Sequence, residues 1–285
     1  SLVWYNTAAF DAAGLKTTPK TWKDFLTTAQ TLSDAGSPAV SIGGADGWTL
    51  TDWFENVYLS QAGPEKYDQL AAHKIKWTDS SVTKALTTLA ELWGKDDLIA
   101  GGRKGALNTE FPKSVTQTFS GSTPAAMVFE GDFVAANING DTKAKLGTDA
   151  KVFPFPAVGS QAPVVSGGDV AVALKGGQGA QALLTFLAST DAAQIWAAQG
   201  GILSPNKEMD MSSYKDAITK QIAQQLLAAG DSFRFDMSDQ APAAFGGTAG
   251  VGEWKDLQDF LRNPKDIAGT QQKLEADAAK AYGTG

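Results

Sequence analysis

Apolar residues recur at helical spacing in several parts of the chain. Trp22, Phe25, Ala29 and Leu32 fall on one face of a predicted helix, and Thr21 before them is a typical N-cap residue. Similar patterns predict the remaining helices. These cover residues 48–61, 79–93, 111–119, 132–139, 178–188, 191–199, 214–229, 253–262 and 266–282.

Between these helices lie short runs of consecutive apolar residues, which predict buried strands. The runs are at 2–5, 39–42, 125–129, 151–156, 164–165 and 170–174. Strands that alternate with helices indicate an α/β fold. Gly167-Gly168-Asp169 separates the last two predicted strands. It is the best candidate for a crossing between two lobes, because glycine lets the backbone change direction.

The composition is that of a folded, acidic protein. The 285 residues include 43% hydrophobic ones, enough for the core of one large domain or two smaller ones. With 24 Lys and Arg against 31 Asp and Glu, the net charge is −7. An acidic surface argues against nucleic acid and anionic lipid as partners, and it favours a neutral or cationic ligand.

Few residues of the chain suit covalent or metal chemistry. The sequence has no cysteine, and its single histidine, His73, is expected at the surface or in a turn. Thiolate nucleophiles and cysteine-bound metals are therefore excluded, and we expect neither a metal nor a cofactor. The chain is poor in nucleophiles and metal ligands but contains eight tryptophans. This combination indicates binding rather than catalysis.

Three tryptophans occupy positions where a ligand could stack. Trp48 follows a glycine-rich turn and begins a helix, Trp53 lies five residues further on, and Trp254 stands at another predicted helix start. An indole face stacks on the apolar face of a sugar ring, and the indole N–H can donate to a hydroxyl. Trp48 is the strongest candidate of the three, since Trp53 can also face the core.

Carboxylates beside predicted strands form the second group of candidates. Glu130 and Asp132 follow a buried strand, at the edge where open α/β sheets bind ligands. Their oxygens can accept hydrogen bonds from ligand hydroxyls or cap the next helix, and both roles remain open. Gly168 and Asp169 interrupt a predicted strand. The Asp169 carboxylate can bind ligand hydroxyls or the amides of a tight turn.

A series of short motifs resembles the family 1 extracellular solute-binding proteins of ABC importers, the carbohydrate-binding group that includes maltose-binding protein. The alpha-glucoside-type binders of this group are the most similar. The motifs are Trp4-Tyr5-Asn6 with Phe10, Gly14 and Pro19-Lys20-Thr21-Trp22; Gly47-Trp48 with Asp52-Trp53-Phe54-Glu55-Asn56; Ala126-Met127-Val128 with Gly131-Asp132-Phe133; Phe153-Pro154-Phe155-Pro156; Gly167-Gly168-Asp169; Gly200-Gly201 with Ser204-Pro205-Asn206; and Phe235-Asp236-Met237-Ser238-Asp239. Single motifs are weak, but their order and spacing over essentially the whole chain are specific.

The resemblance implies a periplasmic-binding-protein-like (type II) α/β architecture with two lobes and a ligand cleft between them. It implies a complete second lobe at 1–166 plus 234–285 and a partial first lobe at 167–233. The N-terminal part of the family's first lobe has no match in this chain.

The resemblance also carries site residues over to this sequence. Trp48 is at the position where the family has an aromatic residue that contacts the sugar. Phe133 is at a position where the family usually has Trp. Trp254 lies near another aromatic sugar contact, which the family has towards the end of its sequence. Gly168-Asp169 matches a crossing between the lobes that often contacts the ligand in this family.

The implied function is that of a non-catalytic extracellular receptor that delivers a sugar to an ABC importer. The expected partners are a mono- or oligosaccharide, with an alpha-glucoside as first candidate, and the permease subunits of the transporter. The full-length protein is expected to be a monomer on the extracellular face of the membrane or in the periplasm.

A glycoside hydrolase that uses Glu130 or Asp169 is the alternative. The pair Glu130 and Asp132 would flank a sugar poorly, because the two carboxyls share one turn.

Overall fold

The computed structural model describes residues 1–121, 124–200 and 202–284. The strands are β1 (Leu2–Asn6), β2 (Val40–Ser41), β3 (Met127–Glu130), β4 (Ala150–Pro154), β5 (Val165–Ser166) and β6 (Arg234–Phe235). The α-helices are α1 (Thr7–Ala12), α2 (Trp22–Asp34), α3 (Trp48–Ala62), α4 (Pro64–Ala71), α5 (Ser80–Trp93), α6 (Gly102–Ala106), α7 (Phe111–Phe119), α8 (Val134–Asp141), α9 (Gln178–Leu187), α10 (Thr190–Gln199), α11 (Ala217–Ala229), α12 (Met237–Gln240), α13 (Ala243–Gly246), α14 (Gly252–Arg262) and α15 (Ile267–Tyr282). Short 3₁₀ turns lie at Asp96–Leu98, Met211–Ser213 and Gly230–Ser232.

The main sheet has the strand order β2-β3-β1-β4. Strand β1 is antiparallel to both β3 and β4, whereas β2 is parallel to β3. The register places Trp4 opposite Val128 on β3 and Val152 on β4, so the three side chains share one face of the sheet. Strands β5 and β6 pair in parallel in a separate two-stranded sheet. This small sheet holds together the two points where the chain enters and leaves residues 167–233.

Each face of the main sheet is covered by a hydrophobic cluster. Val3, Phe129 and Phe153 face the larger cluster, which contains residues of α2, α3, α5, α14 and α15. Leu2 and Trp4 belong to the smaller cluster, to which α7, α8 and α11 contribute. Because neighbouring residues of β1 point to opposite faces, the strand is buried between two helical layers.

Local sequence signals locate several helices correctly. Thr21 caps α2 by accepting a hydrogen bond from the amide of Asp24, and Asp79 caps α5 by accepting one from the amide of Ser81. Helix α7 covers the expected residues 111–119. The apolar pattern misses the short helix α4, although the proline at its first position is a start signal for a helix.

The strand expected at 170–174 is wrong. These residues have no regular structure, and the side chains of Val170, Val172 and Leu174 are 81%, 67% and 97% exposed. An extended segment is stable as a strand only when its backbone groups pair with a neighbour. The described sheets offer no such neighbour to this segment.

The helices that follow also leave apolar side chains open to solvent. Helix α9 contains no buried residue, and the side chains of Phe186, Ile195 and Trp196 are exposed. Helix α11 differs, because its Ile218 and Ile222 pack into the smaller cluster. The exposed apolar surface is therefore concentrated in residues 170–196, and we call these residues the open segment. The division of the chain into lobes at 167 and 233 stays a prediction.

Candidate functional site

The predicted binding residues gather where β2 and β3 end. After β2, residues 43–47 turn into α3, which begins at Trp48. Strand β3 ends at Glu130, and Gly131 and Asp132 lead from it into α8 through Phe133. Because β2 and β3 are parallel, both loops leave the sheet at the same edge, which is the usual ligand side of an α/β sheet.

Trp48, Phe111 and Phe133 form an aromatic cluster at this edge. The ring centroids are 5.3 Å apart for Trp48 and Phe111, and 6.0 Å apart for Trp48 and Phe133. The rings of Phe111 and Phe133 meet edge-on at 5.3 Å. Phe111 is buried, Trp48 is half-buried and Phe133 is 41% exposed. The cluster thus presents the partly open rings of Trp48 and Phe133, and both pack on the buried ring of Phe111. The sequence analysis did not identify Phe111 as a member of the site.

Helix α14 holds the turn before α3 in place. The side chain of Gln258 donates from Nε2 to the carbonyl oxygens of Gly44 and Ala45, at 2.9 Å each. Gly47 has a φ of +89°, and a Cβ added there would lie 2.9 Å from the Cβ of Trp254. Glycine is therefore required both by the backbone and by the contact. The indole N–H of Trp254 is buried and has no acceptor in the described part of the chain.

Glu130 and Asp132 are close in sequence but lie in different surroundings. Glu130 is 2% exposed, and its Oε2 atom has no hydrogen-bond partner among residues 1–121, 124–200 and 202–284. Burial raises the pKa of Glu130 well above its ordinary range, and the nearby Asp52 carboxyl adds to this effect. Asp132 is half-buried, and burial raises its pKa as well. Asp132 is thus open to a ligand hydroxyl, whereas Glu130 faces inward.

Helix α3 also carries a buried acid, Glu55, that sequence patterns alone did not reveal. The carboxylate of Glu55 accepts hydrogen bonds from the Tyr67 hydroxyl at 2.6 Å and from the amides of Met237 and Ser238 at 2.7 and 3.0 Å. Burial and neighbouring carboxyls raise its pKa well above the ordinary range. An acid within the buried run of α3 is the signal that could have identified it.

The expected site residues Trp53, Gly168 and Asp169 are not part of the aromatic cluster. Trp53 is 1% exposed, and its ring centroid is 4.8 Å from that of Phe129 and 5.7 Å from that of Phe155. Trp53 is therefore a core residue and offers no stacking surface. Gly168 and Asp169 are exposed at the start of the open segment. They follow β5 of the small sheet and are open to solvent.

His73 lies in a turn, but its side chain is buried, which corrects the surface alternative. Its Nε2 atom is 3.3 Å from Glu275 Oε2, and its Nδ1 atom is 2.9 Å from Thr284 Oγ1.

Across the described ranges, no group of three or more His, Asp or Glu side chains is placed to hold a metal ion. The helices described here include none that is both long and apolar enough to cross a membrane.

Comparison with known sequences decides the family. The sequence model of the bacterial extracellular solute-binding proteins matches residues 1–194. The chain belongs to this family. Among curated solute-binding relatives, the osmoprotective compounds-binding protein GgtB of Synechocystis is 32% identical over 268 residues, which are 92% of this chain and 62% of GgtB. The alpha-glucosides-binding periplasmic protein AglE of Rhizobium meliloti is 30% identical over 283 residues, which are 96% of this chain and 60% of AglE. This solute-binding protein chain thus spans about three fifths of the length of these two relatives.

A solved structure shows the same fold. A chitin oligosaccharide binding protein superposes with a TM-score of 0.80 at 18% identity, over 99% of this chain and 69% of the other. Identity this low is evidence for the fold alone, and it confirms the periplasmic-binding-protein-like α/β architecture. The matched family and this neighbour are binding proteins.

Proposed function

We propose that this solute-binding protein chain belongs to a non-catalytic receptor that binds a sugar and delivers it to an ABC importer. The aromatic cluster carries the proposal, because Trp48 and Phe133 present partly open rings at the ligand edge of the sheet. Such rings cover the apolar face of a sugar, and a carboxylate such as Asp132 accepts hydrogen bonds from its hydroxyls. The names of two similar proteins support a sugar ligand, since AglE is named for alpha-glucosides and the solved neighbour for chitin oligosaccharides.

The proposed site residues have different tasks. Trp48, Phe133 and Asp132 contact the sugar directly. Trp254 supports the turn before Trp48. Its indole N–H has no acceptor among the described residues, and it donates to a ligand hydroxyl when the site is occupied. Asp169, with Gly168, reaches the ligand from the crossing when two lobes close around it.

The open segment supports the proposed division into lobes. Its apolar side chains, such as Leu174 and Trp196, are exposed here, while both curated relatives are longer than this chain. We assign 1–166 plus 234–285 to the second lobe and 167–233 to the first lobe. Further residues of the first lobe then cover the open segment and supply the other wall of the cleft.

The permease subunits of the importer are the proposed protein partners, and the proposed location is the periplasm or the extracellular face of the membrane. The full-length protein acts as a monomer in this proposal. A glycoside hydrolase is less well supported, because the carboxyl of Glu130 is buried and that of Asp169 lies in the exposed segment after β5. Hydrolysis requires two carboxyls on opposite sides of one bond.

Isothermal calorimetry on the full-length gene product tests the proposal with an alpha-glucoside disaccharide and a chitin oligosaccharide. Trp48→Ala is expected to raise the sugar dissociation constant at least about tenfold, equivalent to about 1.4 kcal/mol, with little change in melting temperature. Trp48→Phe is the matched control, since it keeps a ring at this position and should retain most of the affinity. Unchanged affinity in Trp48→Ala would reject the stacking role. Release of reducing sugar that disappears in Glu130→Gln would favour the hydrolase instead.

A further inference from the structure

The first amide of helix α7 is held by a side chain from another part of the fold. The helix begins at Phe111, and the side chain of Glu110 before it makes no capping hydrogen bond within the part of the chain that the structure describes. The second residue, Pro112, has no amide hydrogen. The Phe111 amide donates instead to Asp46 Oδ2, at 2.6 Å. Since Asp46 lies in the turn between β2 and α3, this bond joins that turn to the start of α7.

A carboxylate is well suited to this position. The N-terminus of an α-helix has amides without partners inside the helix, and it carries a partial positive charge that attracts an anion. A hydrogen bond from an amide to a carboxylate is also stronger than one between two neutral groups. The bond from Phe111 to Asp46 therefore fixes the turn against α7 more firmly than apolar contact alone would.

Further contacts fix the same turn on both sides. The amide of Ala45 donates to the carbonyl oxygen of Thr109 at 3.0 Å. A Cβ added to Gly43 would lie 2.7 Å from the Cα of Phe111, so the two backbones are closely packed. On the side of α14, the bonds from Gln258 hold the carbonyl groups of the turn. The turn is thus clamped between the start of α7 and helix α14.

The bond connects the backbones of two members of the aromatic cluster. Asp46 precedes Trp48 by two residues, and the amide that it holds belongs to Phe111. The ring centroids of Trp48 and Phe111 are 5.3 Å apart, with 59° between the ring planes. Phe133 packs against both rings. Because the bond fixes the backbones that carry Trp48 and Phe111, its loss lets these two rings move relative to each other.

We propose that Asp46 is a positioning residue for sugar binding, which holds Trp48 against Phe111 so that the indole ring is oriented before the ligand arrives. Asp46 acts through the Phe111 amide and needs no contact with the sugar. A stacking surface that is ordered in advance loses less conformational entropy when the ligand binds, so the affinity is higher. This inference rests on the proposed function, since it assigns Asp46 a role in the same sugar site.

Calorimetry on the full-length gene product with the alpha-glucoside disaccharide and the chitin oligosaccharide tests this role. Asp46→Ala is expected to raise the sugar dissociation constant at least about fivefold, because the rings are no longer ordered in advance. Asp46→Asn keeps an oxygen that accepts from the Phe111 amide, so its affinity should stay within about twofold of that of the parent. The control is Asp266→Ala, which removes the bond from the Gly269 amide that caps α15. It should lower the melting temperature, as Asp46→Ala does, but leave the affinity unchanged.

Fluorine NMR provides a second readout that does not depend on a sugar. Fluorinated tryptophan gives one signal for each of the eight tryptophans, and Trp48→Phe identifies the signal of Trp48. In the sugar-free protein, Asp46→Ala should shift or broaden this signal, because the neighbouring ring of Phe111 is no longer fixed. Asp46→Asn and Asp266→Ala should leave the Trp48 signal in place.

The two readouts separate this inference from the proposed function. Unchanged affinity in Asp46→Ala, together with a loss in Trp48→Ala, would overturn the positioning role and leave sugar binding intact. Equal losses in Asp46→Ala and Asp46→Asn would also overturn it, because the bond to Phe111 would then not account for the effect. A parent protein that binds neither sugar would contradict the proposed function. An unchanged Trp48 signal in Asp46→Ala would refute the positioning of Trp48 whether or not a sugar binds.

Discussion

Asp256→Asn is expected to stabilise the protein at neutral and alkaline pH and to have little effect in acid. Asp256 lies on α14, is 3% exposed, and has an Oδ2 atom without a partner among the described residues. Burial raises its pKa to about 7, and the nearby Asp277 and Asp259 carboxylates oppose the lowering effect of Lys273 and Lys255. The folded chain therefore holds a proton on Asp256 at pH values where the unfolded chain does not.

The size of the effect follows from the two pKa values. Well below pH 3.8 both states carry the proton, and Asp256 adds no difference between them. At pH 4 the unfolded chain has lost about half of this proton, and the effect on the free energy of unfolding is still below about 1 kcal/mol. Between the ordinary pKa of 3.8 and about 7, stability falls as the pH rises. Above pH 7 the loss is constant, and the linkage relation gives about 4 kcal/mol for it. Asparagine cannot ionise, so the variant should recover most of this free energy, less the cost of burying an unpartnered amide.

Thermal unfolding by circular dichroism at pH 4, 6 and 8 measures this prediction. At pH 8 the melting temperature of Asp256→Asn should exceed that of the parent by at least about 4 °C, and at pH 4 the two should agree closely. Asp259→Asn is the matched control on the same helix. Burial acts to raise the pKa of Asp259, but hydrogen bonds from Lys255 and Lys273 outweigh it and lower the pKa to about 2. This control should therefore destabilise the protein at pH 8. A gain in Asp256→Asn of the same size at every pH would refute the reasoning.

Two further predictions concern the turn before α3 and the open segment. Gly47→Ala should lower the free energy of unfolding by about 2 kcal/mol, measured by urea denaturation, because its φ of +89° and the contact with Trp254 both oppose a Cβ. Gly36→Ala is the control, since Gly36 has a φ of +92° and none of the described atoms lies within 4 Å of the added Cβ. It should lose only about 1 kcal/mol, and equal losses in the two variants would contradict the contact with Trp254. Limited proteolysis followed by mass spectrometry should cut the isolated chain first within 167–200 and spare 1–160, since α9 buries no residue. First cuts within 1–160 would show that the open segment is better packed than its exposure suggests.

The sequence alone determined those features that depend on residues close to one another along the chain. The N-caps of Thr21 and Asp79 are local, since the side chain bonds to an amide two or three residues further on. The apolar runs of β1 and β3 and the stripe of α2 follow from periodicity, so the α/β class was readable as well. The position of Trp48 at a turn between a strand and a helix was likewise a local signal, and it led correctly to the edge of the sheet.

Only the tertiary structure decided which residues meet. Trp48 and Trp53 lie on the same helix, but the helix faces α2 and the sheet on one side, so Trp53 is in the core while Trp48 remains half-open. Phe111 is far from Trp48 in sequence, and the parallel pairing of β2 and β3 together with α7 brings the two rings into contact. The apolar run at 170–174 has the composition of a strand, but a strand also needs a partner that pairs with its backbone. Burial beside other acids, which sets the pKa of Glu130 and Asp256, likewise arises only when separate elements pack together.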